Sequence, residues 1–501
     1  MSDGARHPYW LTRFLILRLL GLVYLVAFLV LVNQIVPLVG QGGLLPATSF
    51  LDRVAEHTGS RWQGFLVLPS VFWAGAPDGA LTVLAWIGVA LSAAVLAGYA
   101  NTPLLLVLWA FYLSFVHVGQ DWYGYGWEIQ LLETGFLAAF LCPLLDPRPF
   151  PRRAPPVAVI WLFRWLAVRI MLGAGLIKLR GDPCWRDLTC LYFHYETQPI
   201  PNPLSPFFHF LPHAMNQAGA VFNYLAELVA PFFVFGPRRA RLVAGGVMVA
   251  FQLLLITSGN LSFLNYLTII PILACFDDVA LARVLPRVLV ARGERAATAV
   301  PSAVQQGLVA ALVVLVALLS VQPVRNLVSP QQAMNASFDR LSLVNTYGAF
   351  GSVGRERSEI VFEGTDDPVV TPTTTWREYE FKCKPGDVLR RPCVVSPYHY
   401  RLDWQIWFAA MSGPEHYPWT VHLVWKLLHN DRGVLGLLAN DPFPDHPPRT
   451  IRARLYRYAF AAPGAPDHAW WRRTLVGEWL PPLSTNDVRL HRFLAAYGWD
   501  D

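Results

Sequence analysis

Apolar residues in this chain are gathered into long, nearly uninterrupted blocks, and no other feature restricts its fold so strongly. Nine such segments stand out: Phe14–Val36, Ala80–Ala97, Pro103–Val118, Trp127–Leu145, Val157–Ile177, Gly219–Phe235, Leu242–Thr257, Leu261–Phe276 and Ala303–Val321. A helix needs about 20 apolar residues to cross a bilayer, and only helices and closed barrels satisfy their own backbone there. Composition agrees. Of 501 residues, 54% are hydrophobic and 15% charged, where a soluble domain carries about 25% charged residues. The expected fold is a polytopic α-helical membrane bundle of nine transmembrane helices, followed by a more polar region.

The charges between the blocks give an orientation. Arg6, Arg13 and Arg18 lie at or near the start of the first block. Arg148, Arg152 and Arg153 separate the fourth from the fifth, Arg238, Arg239 and Arg241 the sixth from the seventh, and Arg283, Arg287, Arg292 and Arg295 the eighth from the ninth. The Gln120–Gly126 turn on the opposite side holds Asp121 and no Lys or Arg. Basic residues favour cytoplasmic loops, so the N-terminus is expected inside and the C-terminus outside. The net charge of +6 is spread along the chain, which argues against a nucleic-acid partner; membrane lipids are the partner that composition implies. The first block is too long for a signal-peptide core and no small-residue cleavage site follows it, so it reads as a retained helix. No lipidation or C-terminal retention motif is recognised.

This topology divides the chain into a transmembrane helical domain, 1–321, and an exterior C-terminal domain, 322–501. The first includes an exterior segment, 178–218. The C-terminal region reads as α+β and β-rich. Trp376–Lys382 and Ile451–Leu455 alternate with the period of two of a half-buried strand, whereas Val421–Leu428 reads as a helix. Cys142 and Cys275 fall in apolar helices. Cys184 with Cys190, and Cys383 with Cys393, fall outside in two close pairs and are disulfide candidates. Neither spacing is Cys-x-x-Cys, and no His spacing matches a zinc site, so no metal is expected.

Ionisable side chains inside the bundle are costly unless paired or hydrated. Glu128 and Glu133 lie in the fourth segment, Arg164 and Arg169 in the fifth, and Asn223 and Glu227 share a face of the sixth. The economical pairing neutralises Arg164 and Arg169 with Glu133 and Glu227. Two readings stand: interhelical ion pairs that fix packing, or a polar cavity for a substrate headgroup or proton relay. Arg164 and Lys178 are spaced to share one stripe of the fifth helix, with Arg169 pointing away. Lys178 sits where that stripe emerges. A Lys there either snorkels to the headgroups or, desolvated, serves as a base.

Beyond it the stretch Gly175–Pro203 packs charge, rings and thiols together. Asp182, Arg186 and Asp187 can pair locally beside Arg180 and Trp185. His194, Tyr195, Glu196 and Gln198 form a dense hydrogen-bonding set. No Gly-x-Ser-x-Gly, His-Glu-x-x-His, phosphate loop or dinucleotide fingerprint occurs.

The stretch RIMLGAGLIKLRGDPCWRDLTCLYFHYETQPIPNPLSPFFHFLP, Arg169–Pro212, closely resembles the lipase maturation factor family. Tyr125-Gly126-Trp127-Glu128 with Gln130–Gly135 resembles its YGWxxQLLExG element. NTYGAFGSV, EIVFEGT, WREYEFKCKPGD and SPYHYRLDWQIWFAA, between Asn345 and Ala410, resemble its characteristic C-terminal domain. The resemblance implies a multi-pass membrane protein of the secretory pathway that acts as a chaperone, assisting folding and assembly of secreted lipase clients. The location implied is the endoplasmic reticulum membrane in a eukaryote, or the cytoplasmic (inner) membrane in a bacterium, to which the Ala-, Arg- and Pro-rich composition points.

A shorter stretch, AGLIKLRGDPCW, is similar to an element of the vitamin K-dependent γ-carboxylase superfamily, from which Arg180, Asp182 and Cys184 depart. That similarity implies an alternative, a membrane-embedded enzyme with Lys178 as catalytic base on a quinone- or lipid-like substrate. The folding-factor reading requires no cofactor. A structural subunit without chemistry is the third reading.

Overall fold

The protein's computed structural model describes residues 9–296 and 302–499. Arg6, and the outermost ends of the two expected domains at 1–8 and 500–501, lie outside the described residues.

Among the described residues, five helices are long and apolar enough to cross a membrane: Trp10–Val39, Asp78–Ala97, Val157–Arg180, Arg238–Ser258 and Ala303–Val328. Thr102–Val118 and Leu264–Cys275 are shorter apolar helices, and Gly126–Leu141 spans 16 residues. The segment expected at Gly219–Phe235 is not one straight helix. An α-helix, His213–Tyr224, passes into a π-helical turn, Leu225–Val229, and then a 3-10 turn, Ala230–Phe233. Pro231 accounts for the break. It has no N–H for the Glu227 carbonyl four residues back, and its ring crowds that position. The helix widens there, as π turns do.

Small residues let the helices approach closely. The first long helix packs against Asp78–Ala97, where a Cβ on Gly88 would stand 2.1 Å from the Phe28 ring.

The C-terminal region builds a four-stranded antiparallel sheet. Its spatial order is Arg377–Tyr379, Arg357–Thr365, Thr450–Phe460 and Trp471–Ser484. Register is fixed by pairs such as Phe362 with Ala453 and Tyr458 with Arg473. The expected strand at Trp376–Lys382 shortens to three residues, with Phe381 continuing as an isolated bridge to Leu438. The Ile451–Leu455 alternation lies inside the longer third strand, and Val421–Leu428 inside the helix Trp419–Leu428.

One apolar core runs without a break from bundle residues such as Tyr24, Leu131 and Phe163 to sheet and helix residues such as Phe362, Leu402 and Ile451. A short ladder, Ala336–Ser337 with Asn345–Thr346, lies in the chain between them.

Candidate functional site

The Val157–Arg180 helix carries three buried cations, Arg164, Arg169 and Lys178, and the site grows from how each is answered. Arg169 forms an ion pair with Glu133. The chain after the bundle completes this pair. Asn345 N–H donates to Glu133 at 3.0 Å, Tyr347 Oη at 2.7 Å, and Arg169 in turn donates to the Asn345 carbonyl at 2.7 Å. A Cβ on Gly173 would stand 2.3 Å from the Tyr347 carbonyl oxygen, so glycine there is what lets residues 345–347 lie against the helix.

Lys178 does not snorkel. Its Nζ lies 2.7 and 2.8 Å from the two Glu227 oxygens and 2.8 Å from Asn223 Oδ1. Asn223 Nδ2 closes the triangle at 2.9 Å from Glu227. Glu227, expected to answer an Arg, therefore answers Lys178.

Arg164 finds no carboxylate among the described residues. It donates to the Ala274 carbonyl and the Tyr9 hydroxyl, both at 2.8 Å. Ala274 ends an apolar helix, where unsatisfied carbonyls and the negative end of the dipole attract a cation. Arg164 and Lys178 thus serve opposite ends of about 21 Å of helix, and the stripe expected between them does not assemble. Glu128 pairs with Arg401, at the start of the helix Arg401–Ala409, and both are fully buried. Arg401 also donates to the Trp122 carbonyl at 2.8 Å and stacks 3.8 Å above the Tyr123 ring. Three buried ion pairs, Arg169–Glu133, Lys178–Glu227 and Arg401–Glu128, thus tie C-terminal residues or the Glu227 turn to the bundle.

After Arg180, which donates to Gln332 at 2.8 Å, the chain turns into the exterior motif. Asp182 caps the turn Pro183–Arg186 by accepting from Cys184 N–H, and pairs with Arg355 at 2.9 Å. Partial burial pushes its carboxyl up, but these donors outweigh it and hold the group below the usual carboxylate range. The pairing expected of Asp182 with Arg186 is absent. Arg186 donates to the Leu179 carbonyl, and Asp187 is exposed without an ion pair among the described residues. Trp185 Nε1 donates to the Phe350 carbonyl at 2.7 Å. Both disulfides form, Cys184–Cys190 and Cys383–Cys393. Asp182 lies beside the first, but thiols joined in a disulfide hold no metal.

His194 and Tyr195 sit in the helix Leu191–Thr197. His194 is buried with its ring edge-on to Phe350. Burial, and secondarily the Lys178 charge, lowers its imidazole to about 4, so it is neutral near pH 7. Tyr195 stacks on Phe208. Glu196 accepts from Phe460 N–H at 2.7 Å. Gln198 Nε2 bridges Tyr195 and Ser258 carbonyls and the Ser205 hydroxyl. Arg357, on the second strand of the sheet, donates to the carbonyls of Glu196, Gln198 and Pro199. The motif is therefore held between bundle and sheet. Arg357, Arg401, Asn345 and Tyr347 complete this arrangement. Sequence reasoning missed all four, although each lies in or near a motif that carried the family resemblance.

Above these contacts lies a cavity of about 510 Å³ between bundle and C-terminal region, bordered by Gln130, Met171, His194, Glu227, Asn265 and Trp404. Tyr125, Trp127, His399 and Trp404 pack ring against ring at its edge, for example 5.0 Å between Trp127 and Trp404.

Two family models match the chain: the lipase maturation factor transmembrane domain over residues 11–283, and the lipase maturation factor C-terminal domain over residues 343–481. Lipase maturation factor 1 of Bos taurus is 49% identical over 96% of this chain and 90% of its own length. The Homo sapiens protein of the same name is 47% identical over 96% and 89%. Lipase maturation factor 2 of Homo sapiens is 31% identical over 99% and 85%. No solved structure matches the chain. Neither the family models nor these relatives support the enzymatic alternative built on Lys178. With apolar helices long enough to span a bilayer and both family regions in order, the chain is an integral membrane protein that belongs to the lipase maturation factor family.

Proposed function

We propose that this protein is a membrane-resident folding factor for secreted lipases. Similarity to proteins named for lipase maturation, extending through both bundle and C-terminal region, carries the reading. On it, the nine apolar segments cross the membrane with the N-terminus in the cytoplasm. Residues 178–218 and the domain 322–501 face the secretory side, where the client lipase is held while it folds and assembles. That side is the lumen of the endoplasmic reticulum in a eukaryotic cell, or the periplasmic face of the inner membrane in a bacterial one. The arginine-rich loops and the two disulfides outside the bundle favour this orientation.

Co-expression with a secreted lipase in cells lacking their own factor tests the reading. Active lipase in the medium rises with this chain present, and an unchanged yield of active enzyme sinks the proposal. The orientation is checked separately with glycosylation acceptors placed at 292 and 466, of which the second alone is modified.

A further inference from the structure

The cavity between the bundle and the C-terminal region has lining of two kinds. Ile170, Met171, Ala174, Leu255, Phe350 and Trp407 supply an apolar lining. Beside them, Gln130, Gln252, Asn265 and Thr268 bring neutral polar groups from three helices, each almost wholly buried. Hydrogen bonding between helices accounts for only part of this belt. Gln130 Nε2 donates to Thr268 Oγ1 at 3.0 Å, and Asn265 Nδ2 to Gln252 Oε1 at 2.8 Å. Those bonds use the amide N–H groups. The oxygens of Gln130 and Asn265 receive no hydrogen bond from the described residues, and the His194 ring nitrogens make none. These atoms are not among the side-chain polar atoms sealed away without a partner; they stay accessible at the cavity wall, where neighbouring acceptors suit a ligand that donates. The charge on the same wall is already answered, because Glu227 is held by Lys178.

We propose that this cavity binds an amphiphile with one apolar chain and an uncharged, hydroxyl-bearing head, of the monoacylglycerol type. The hydroxyls donate to Gln130 and Asn265, while neutral His194 accepts or donates in turn. The chain lies along Met171, Leu255 and the aromatic side. A carboxylate head would face Glu227 and two acceptor oxygens. An ammonium head would be stripped of water with its counter-charge already taken. The volume of about 510 Å³ falls in the range of roughly 300–1,000 Å³ usual for small-molecule sites. The site does not depend on the lipase reading, and it stands or falls on its own test.

The test is photolabelling of the detergent-purified full chain with a diazirine-bearing monoacylglycerol. Label is expected on peptides containing Met171, Leu264 or Met411. Unlabelled monoacylglycerol is expected to compete at about tenfold lower concentration than the fatty acid or fatty amine of equal chain length. Ala174→Trp fills the cavity and abolishes labelling; Leu255→Trp does so if the first variant loses its thermal transition. Val243→Trp, on the exposed face of the Arg238–Ser258 helix, leaves labelling intact. Equal competition by all three heads, labelling that survives both filled cavities, or label confined to other surfaces would overturn the proposal.

Discussion

Lys178 Nζ stands 2.7 Å from Glu227, with Asn223 bonded to both, and all three side chains are buried. Removing one member strands the other's charge. Lys178→Met or Glu227→Gln alone is expected to lower stability by about 3–5 kcal/mol. The double variant Lys178→Met/Glu227→Leu is expected to recover a large share of that loss. Thermal melts of the three purified proteins in detergent decide it. A double variant no better than the worse single one would show that the pair does more than cancel charge.

Arg401 reaches across 273 residues of sequence to Glu128. Arg401→Met leaves a carboxylate buried between bundle and C-terminal region, at a cost of about 3–5 kcal/mol. Limited proteolysis should then cut within residues 355–499 at lower protease concentration than in the unaltered protein. Equal resistance would remove this pair from the set that anchors the C-terminal region.

His194 makes stability depend on pH. Its folded-state value, lowered by burial and then by Lys178 to about 4, lies below the unfolded value of about 6.5. The unfolded chain therefore binds the proton more readily. The stabilisation is complete above about pH 6.5 and is lost as pH falls towards 4, by up to about 3 kcal/mol. His194→Phe should flatten this part of the melting-temperature profile. A profile equally steep in the variant would place the dependence on other groups.

The Cys383–Cys393 disulfide closes a short loop beside the sheet. In the chain-entropy account such a loop contributes about 2–3 kcal/mol. Cys383→Ser/Cys393→Ser should melt lower by that equivalent, and reductant should lower the unaltered protein at least as far, since it also acts on Cys184–Cys190. Insensitivity of both would mean that strain in the folded state offsets the constraint.

The sequence made some of this legible and hid the rest for identifiable reasons. Apolar block length located the bundle, because bilayer thickness sets it. Glu133 with Arg169 was readable as charge economy between neighbouring segments. Arg164 was not, because its partner is the Ala274 carbonyl, and a helix-end carbonyl has no letter of its own. Charge economy assigns Glu227 to an Arg because it counts only ions inside the apolar segments, although the face shared by Asn223 and Glu227 does form. Lys178, just beyond the apolar run, takes the carboxylate. The strand at Trp376–Lys382 was overextended. Alternation does not register that Asn440 Oδ1 takes the N–H of Glu380, the first residue past the end of the ladder at Tyr379. Arg357 and Arg401 lie in a polar region where residue type alone does not mark a charge for burial, and the fold buries both.

Residues 345–347 finish an ion pair whose acid lies 212 residues earlier. A ribosome making this chain delivers Glu133 and Arg169 long before Asn345 and Tyr347. Through that interval the bundle is incomplete, and the newborn helices wait on a strand still to be translated. A stop codon placed at 322 would therefore halt assembly of the bundle itself as well as remove the sheet. A stop after 353 keeps Asn345 and Tyr347, so a phenotype seen with the earlier stop and absent with the later one reports on maturation of the bundle.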